Sequence, residues 1–252
     1  MSPSLDLSQV RRLEELAFAG WPAMETCDTA GWRLRFSGGY TKRSNSISAL
    51  GKDAQVDGTT LDALEAAYEE RHQRPIWRLT PLAPPAMVDL LTRRGHRPIE
   101  RSLLQLCPLE PAFTASSDVA IQPAPSAAWI EAFCTYSLVR PEHRDTMRRM
   151  LASIAAPAGF AFVEEAGQPM AMAIGAVQGD HMGLFDVLVM PQARRRGLAR
   201  KVTESLYAWA WSHGARFAYL QVVATNQAAM PLYAAQGFRT VYDYEYFVPP
   251  SP

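Results

Sequence analysis

Residues 185–200 read FDVLVMPQARRRGLAR. An apolar run ends at Val189, Pro191 has no N–H with which to continue a ladder, and the residues after Gly197 return to helical spacing. The order is strand, basic glycine loop, helix. Backbone N–H groups at a helix start have no intrahelical partner, and glycine leaves them unobstructed, so Arg196, Gly197, Leu198 and Ala199 form an anion cradle. Arg194, Arg195 and Arg200 add positive charge around it. A pyrophosphate suits such a loop better than a solvated turn does. A nucleic-acid contact is disfavoured, because 25 basic and 25 acidic residues give zero net charge and no second basic cluster carries interleaved aromatics.

Working outward, Phe160–Glu164, Met170–Val177 and Gly183–Val189 are predicted strands, the first two hinged at Gly167. A helix runs from the loop to His213, followed by a strand at Phe217–Val223, a helix at Gln227–Ala235 stopped by Gly237, and a strand at Tyr242–Val248. Helices at Ser126–Leu138 and His143–Ile154 precede them. Farther upstream lie a helix at Leu7–Phe18, a hairpin of Trp32–Phe36 with Ser44–Leu50, a helix at Thr60–His72, a strand at Ile76–Thr80 and a helix at Pro85–Arg94 stopped by Gly95. Between the two sets, Cys107–Ser126 is dense in Pro and Ser and reads as a linker enclosing one strand near Val119–Ile121. A boundary at Asp118 gives two domains, 1–117 and 118–252.

An offset of 142 residues sets Gly95 on Gly237, Trp77 on Tyr219, Leu90 on Leu232 and Arg97 on Arg239, with strand, helix and glycine stop in register. That is the self-similarity of a duplicated unit. The copies are not equally equipped: Gln55 falls where Gly197 stands, and Leu91 where Tyr233 stands.

Composition sets the class. With 48% hydrophobic and 20% charged residues the chain has the material for a core. No apolar run approaches the ~20 residues of a membrane span, and MSPSLDLSQVRRLEE lacks the apolar centre of an export signal, so a cytoplasmic protein is expected. Cys27, Cys107 and Cys134 have no metal-ligand spacing; buried free thiols are expected, without a metal site. Trp209 and Trp211 stand two apart on a helix and cannot share a face.

The loop, together with LQVVATNQAAMPLYAAQGF at 220–238, resembles the GNAT superfamily of N-acetyltransferases. The segments GWRLRFSGGYTKRSNSI (31–47) and WRLTPLAPPAMVDLLTRRGH (77–96) resemble a degenerate GNAT unit, as in tandem GNAT proteins. The resemblance implies an α/β (α+β) fold of two units, each a mixed, mostly antiparallel sheet flanked by helices, with splayed strands in the C-terminal unit. It implies acetyl-CoA as cosubstrate, without a metal, and direct attack of a primary amine on the acetyl group. Backbone groups of Val187, Leu188 and Val189 would pair with pantetheine, the loop from Arg194 to Arg200 would hold the pyrophosphate, and Tyr233 would be the acid at the departing sulfur.

Several assignments keep an alternative. Tyr233 is either that acid or a tyrosine packed between helix and sheet. Asp186 is either the base, directly or through water, or one side of an ion pair. Asn226 bonds the pantetheine arm or caps the following helix. Tyr40–Ser46 resembles a Y-T-x-R-x-N-S pattern of the tandem family, and Lys42, Arg43, Ser44 and Asn45 either brace the half-domains or reach the acceptor. The acceptor is a small-molecule or peptide amine, with no nucleic-acid or membrane partner and a monomer or homodimer as the assembly. Other uses of the same fold are a non-catalytic CoA-binding sensor or scaffold, transfer of a longer acyl group, or acylation of a hydroxyl.

Overall fold

The computed structural model describes residues 5–155 and 157–250. Contacts divide the chain into two compact units. One contains the described residues up to Leu104, with Val222–Asn226 and those from Thr240 onward; the other contains Gln105–Gln221 and Gln227–Arg239.

The first unit comprises α1 (Leu7–Gly20), β1 (Glu25–Thr29), β2 (Trp32–Phe36), β3 (Ile47–Ala49), α2 (Gly58–Glu69), β4 (Trp77–Leu79), α3 (Met87–Arg93), most of β5 (Arg97–Pro108) and most of β11 (Arg239–Val248). Its strands lie in the order β1-β2-β3-β4-β11-β5. The β3–β4 pair is parallel, while β1–β2, β2–β3 and β4–β11 are antiparallel. Strand alternation sorts the side chains into two unlike faces. Register places Ile47, Trp77 and Phe247 in one row, and with Trp32, Leu34 and Phe36 they form a core under Leu61, Leu64 and Tyr68 of α2 and Leu91 of α3. Asp57 caps α2 by accepting from the Thr60 N–H at 2.8 Å.

The next row, Ser48, Arg78 and Tyr246, faces the other way and is polar yet buried. Arg78 makes a bidentate bond to Glu14 of α1, and the Tyr242 hydroxyl donates to the same carboxylate. Arg35, also buried, donates to the carbonyls of Phe18, Trp21 and Arg43. So α1 carries a buried charge within the face that Val10, Leu13 and Ala17 mark as apolar. In the turn before β3, Asn45 accepts from the N–H groups of Ser37 and Gly39 and donates to the carbonyls of Tyr40 and Thr41. Lys42 pairs with Glu100 at 3.0 Å, and Arg43 lies over the Trp21 ring. This segment braces the first unit itself.

The second unit contains the end of β5, then β6 (Ala120–Gln122), α4 (Ala127–Tyr136), α5 (Arg144–Ala152), β7 (Ala158–Glu165), β8 (Gln168–Gln178), β9 (His181–Val189), α6 (Leu198–Ser212), most of β10 (Phe217–Val223) and α7 (Ala229–Ala235). The strand order is β10-β9-β8-β7-β6, with β9–β10 parallel and the others antiparallel. Gly159 and Gly175 pair across β7 and β8, and a Cβ on either would sit 3.2 or 3.4 Å from the Trp209 ring. They form the seat for that indole. Trp211 instead stacks under Arg216, whose guanidinium lies 4.0 Å from the ring centroid. In the first unit the residue 142 places before Trp209 is Ala67. A groove of about 430 Å³ stays open there, with Ala63, Ala67, Phe36 and Cys27 in its wall. Cys27 is exposed, against the expectation of a buried thiol, while Cys107 and Cys134 are buried.

The repeat is visible in backbone detail. Both ends of α3 and α7 are 142 residues apart, and Gly95 and Gly237 end them with φ of +81° and +89°. The same turn follows each: the His96 N–H donates to the Leu91 carbonyl, and the Phe238 N–H to the Tyr233 carbonyl. β5 and β11 also start 142 residues apart, yet β11 pairs with β4 in the first unit while the end of β5 belongs to the second. The compact units therefore do not follow the cut at Asp118 suggested by the repeat and the proline-rich segment.

β1 and β5 have no counterpart among the predicted strands. All five residues of β1 are exposed, so no alternation marks it, and β5 buries the polar Ser102 and Gln105 among its apolar residues.

The buried pair sets a stability test. Glu14→Gln, which leaves Arg78 without its anion, is expected to cost about 3–5 kcal/mol of unfolding free energy. Glu15→Gln, which breaks only the solvent-facing pair with Arg33, is expected to cost about 1 kcal/mol or less. Urea denaturation of the two variants checks the difference.

Candidate functional site

The site starts where a strand pair stops. β9 and β10 pair from His181↔Phe217 to Leu184↔Leu220, and β9 then runs on to Val189 hydrogen-bonded to β8 alone. One pair before the last, Gly183 faces Tyr219, and a Cβ on Gly183 would lie 2.5 Å from the Phe185 ring and 2.6 Å from the Tyr219 hydroxyl. Only glycine leaves room for Phe185 to fold back and meet Tyr219 edge-on, with ring centroids 6.1 Å apart. These two aromatic rings plug the base of the opening.

Directly beyond the plug the β8–β9 register shifts, with Ile174 opposite Phe185 and Met172 opposite Leu188. One extra residue stands on β9 across that interval, which is a β-bulge. Asp186 carries it, with φ of +47°. An aspartate tolerates this left-handed conformation better than most residues. Val187, Leu188 and Val189 follow, each partly exposed, with the strand edge turned away from β8 unpaired in this unit.

The chain then makes one turn at Pro191–Ala193 and enters the loop. Arg195 and Gly197 have φ of +61° and +75°, with Arg196 between them outside that region. This alternation curls successive N–H groups into a concave nest. Gly197 is the N-cap of α6 with no side-chain cap bond, and a Cβ on it would meet nothing within 4 Å, so the space beside the helix start is clear. The cradle thus has the donors and the clearance that a pyrophosphate requires.

The arginines divide. Arg196 pairs with Glu165 at 2.7 Å, and Arg200 with Glu204 at 2.7 Å. Arg194 and Arg195 are exposed and carry no ion pair among the described residues. As sequence, the run is one block of positive charge. In the fold, two of the four charges are already engaged.

Tyr233 lies on α7, buried to 8% exposure. Its ring meets Phe238 edge-on at 5.7 Å, through the turn closed by Gly237. Burial, and after it the nearby Asp186 carboxylate, push its phenol up to about 12. That places the bulge residue and the tyrosine in one electrostatic neighbourhood, although they are 47 residues apart in the chain. Asn226 lies in the turn after β10, its N–H donating to the Val223 carbonyl at 2.9 Å. The residue at the N-cap position of α7 is Ala228.

Among the described residues no group of three or more His, Cys, Asp or Glu side chains is placed to hold a metal ion. None of the described helices is long and apolar enough to cross a membrane. Gly183, Phe185 and Tyr219 did not stand out in the sequence as site residues. The one available signal was a glycine inside an apolar strand, which marks close approach of another group.

Comparison with known proteins identifies the family and the fold. The family described as "Probable histone acetyltransferase Rv0428c C-terminal" matches residues 7–247. The uncharacterized N-acetyltransferase YobR of Bacillus subtilis is 24% identical over 245 residues, covering 95% of this chain and 98% of that protein. The ribosomal protein bS18-alanine N-acetyltransferase of Escherichia coli is 38% identical over 72 residues, 29% of this chain and 49% of its own length. Among solved structures, a GCN5-related N-acetyltransferase from Kribbella flavida superposes with a TM-score of 0.69 at 17% identity over 96% of each chain. A tandem GNAT protein from the clavulanic acid biosynthesis pathway gives 0.64 at 10% identity over 95% of this chain and 89% of its own. At those identities the two structures speak for the fold alone. The match along nearly the whole length, on a fold shared with tandem GNAT proteins, places the chain in the Rv0428c C-terminal acetyltransferase family, as an acyltransferase of the GNAT superfamily.

Proposed function

We propose that the protein transfers the acetyl group of acetyl-CoA to a primary amine of a small molecule or peptide, by direct attack of the amine. The observation that carries this is the open edge of β9. Val187, Leu188 and Val189 present unpaired backbone between a bulge at Asp186 and an anion nest at Arg195–Gly197. An extended arm with amide groups can add to such an edge as a strand does.

Each residue then has a role. The N–H groups of Arg196, Gly197, Leu198 and Ala199 receive the pyrophosphate, and the unpaired charges of Arg194 and Arg195 face the phosphates. Arg200 is held by Glu204 and contributes the field at the rim. Asn226 is assigned to the pantetheine arm. Acetyl-CoA supplies the activated acyl group. Held at both ends, the thioester reaches the amine with its orientation already fixed, which replaces a bimolecular encounter by one of defined geometry.

Tyr233 keeps its proton throughout the neutral range and donates it toward the departing sulfur. Asp186 is half-buried at the bulge and within electrostatic reach of Tyr233, and is assigned to receive a proton from the amine, directly or through water. Its negative charge also helps keep the phenol protonated. An amine acceptor is supported by the name of the bS18-alanine N-acetyltransferase, although that protein matches over 72 residues only.

Titration calorimetry with acetyl-CoA tests binding. Gly197→Ala, which forces a side chain into φ of +75°, is expected to weaken affinity about tenfold or more. Absence of wild-type binding at high micromolar ligand would remove the CoA assignment. Thiol release measured over a panel of amines separates an enzyme from a CoA-binding sensor. Tyr233→Phe is expected to lower kcat about 100-fold while leaving acetyl-CoA affinity within about twofold. Unchanged kcat would return Tyr233 to a packing role.

The pH dependence has a definite sign. An acid works protonated, and this phenol titrates near 12 instead of near the usual ~10. Turnover should therefore hold as pH rises through 10, with loss from this group only toward 12. A kcat profile that falls with a phenol-like midpoint near ~10 would contradict the raised value.

A further inference from the structure

We propose that Gln236 is the positioning residue that holds Tyr233 in register with the anion cradle. The proposal rests on Tyr233 acting as the acid, and the test below separates the two.

Gln236 closes α7 three residues after Tyr233 and is buried to 8% exposure. Its amide is used at both ends. The Tyr207 hydroxyl donates to Oε1 at 3.0 Å, and Nε2 donates to Thr203 Oγ1 at 2.6 Å. The Thr203 hydroxyl lies 3.0 Å from the carbonyl oxygens of both Ala199 and Arg200, to which it donates. The main chain of Gln236 is engaged as well: its carbonyl accepts from the Cys107 thiol at 3.1 Å. The bonds run in one direction, from Tyr207 through Gln236 and Thr203 to the backbone of Ala199, the last residue of the cradle. Tyr207 and Thr203 are both fully buried one turn apart on α6. In such surroundings an unmade bond is costly, so the chain of donors is held to its lengths.

Only a neutral amide completes this chain. A carboxylate at position 236 has no hydrogen to give Thr203, and an aliphatic side chain offers neither donor nor acceptor. α7 needs the restraint. It has seven residues, about two turns, so few backbone bonds of its own hold it in place. The ring contacts around it, Tyr233 with Phe238 and Phe238 with Tyr207, are edge or tilted packings at 5.7 and 6.1 Å. Apolar packing of that kind tolerates sliding, whereas the amide bridge fixes one distance, that between the start of α6 and the helix carrying the phenol. A displacement of about 1 Å at a reacting group is enough to cost about 100-fold in rate.

The test is a double-mutant cycle on the full chain. It uses acetyl-CoA with the amine that gives the fastest thiol release, and calorimetry for acetyl-CoA affinity. Gln236→Leu is expected to lower kcat about 10- to 100-fold with affinity within about twofold, and to change kcat by less than about twofold in a Tyr233→Phe background. The triple variant Gln236→Leu, Tyr207→Phe, Thr203→Val removes every polar group of the bridge while keeping its shape. It should regain the thermal stability lost in Gln236→Leu yet stay slow. An equal loss of kcat from Gln236→Leu in both backgrounds, or recovery of kcat in the triple variant, overturns the positioning role. Unchanged kcat in Tyr233→Phe alone instead overturns the acid role, and the two failures are thus told apart.

Discussion

The site depends on a strand pair that ends early. β9 and β10 share four residue pairs and then part. A parallel pair has no inherent reason to stop there, and two features force it: the aromatic plug of Phe185 and Tyr219 over Gly183, and the extra residue at Asp186. A bulge bends its strand and raises the local twist, so the backbone beyond it points away from the expected partner. The consequence is an unsatisfied strand edge beside a helix N-terminus, two unmet sets of backbone donors on one short stretch of chain. Both follow from the single bulge at Asp186 and the loop after it.

The first unit shows the same fold without the opening. Its helix α3 and the glycine turn after it repeat α7 and Gly237 in detail, but Leu91 is fully buried where Tyr233 stands, and the stretch before α2 has no basic glycine loop. What it has instead is a buried polar layer, Glu14, Arg78 and Tyr242, under α1. A buried ion pair contributes little net stability against an apolar replacement, but it penalises other packings, since each charge must find this partner. The polar layer thus selects one seating of α1 on the sheet.

Much was legible from the residues alone. Several helices were placed within a few residues, such as α2, expected at Thr60–His72 and found at Gly58–Glu69, and α4, expected at Ser126–Leu138 and found at Ala127–Tyr136. The strands β7, β8 and β9 and the loop of arginines at the start of α6 were read from alternation and glycine placement. β1 and β5 were not, because exposed or charged stretches, and buried polar residues among apolar ones, give no periodic apolar signal. Cys27 was expected in a core and is exposed, since three isolated cysteines carry no pattern that says which face each occupies.

The sequence by itself determined the local chemistry: a strand that must end at Pro191, a cradle that must begin at Gly197, a helix that must stop at Gly237, and a second, unequal copy of the same unit. These follow from backbone donors, allowed φ values and periodicity, which act over a few residues. Tertiary structure decided the rest. It brought Asp186 within electrostatic reach of Tyr233, engaged Arg196 and Arg200 with glutamates while leaving Arg194 and Arg195 without an ion pair among the described residues, and put most of both β5 and β11 in the first compact unit. The physical reason is that charge and desolvation depend on distances through space, and those are fixed only when distant segments pack together.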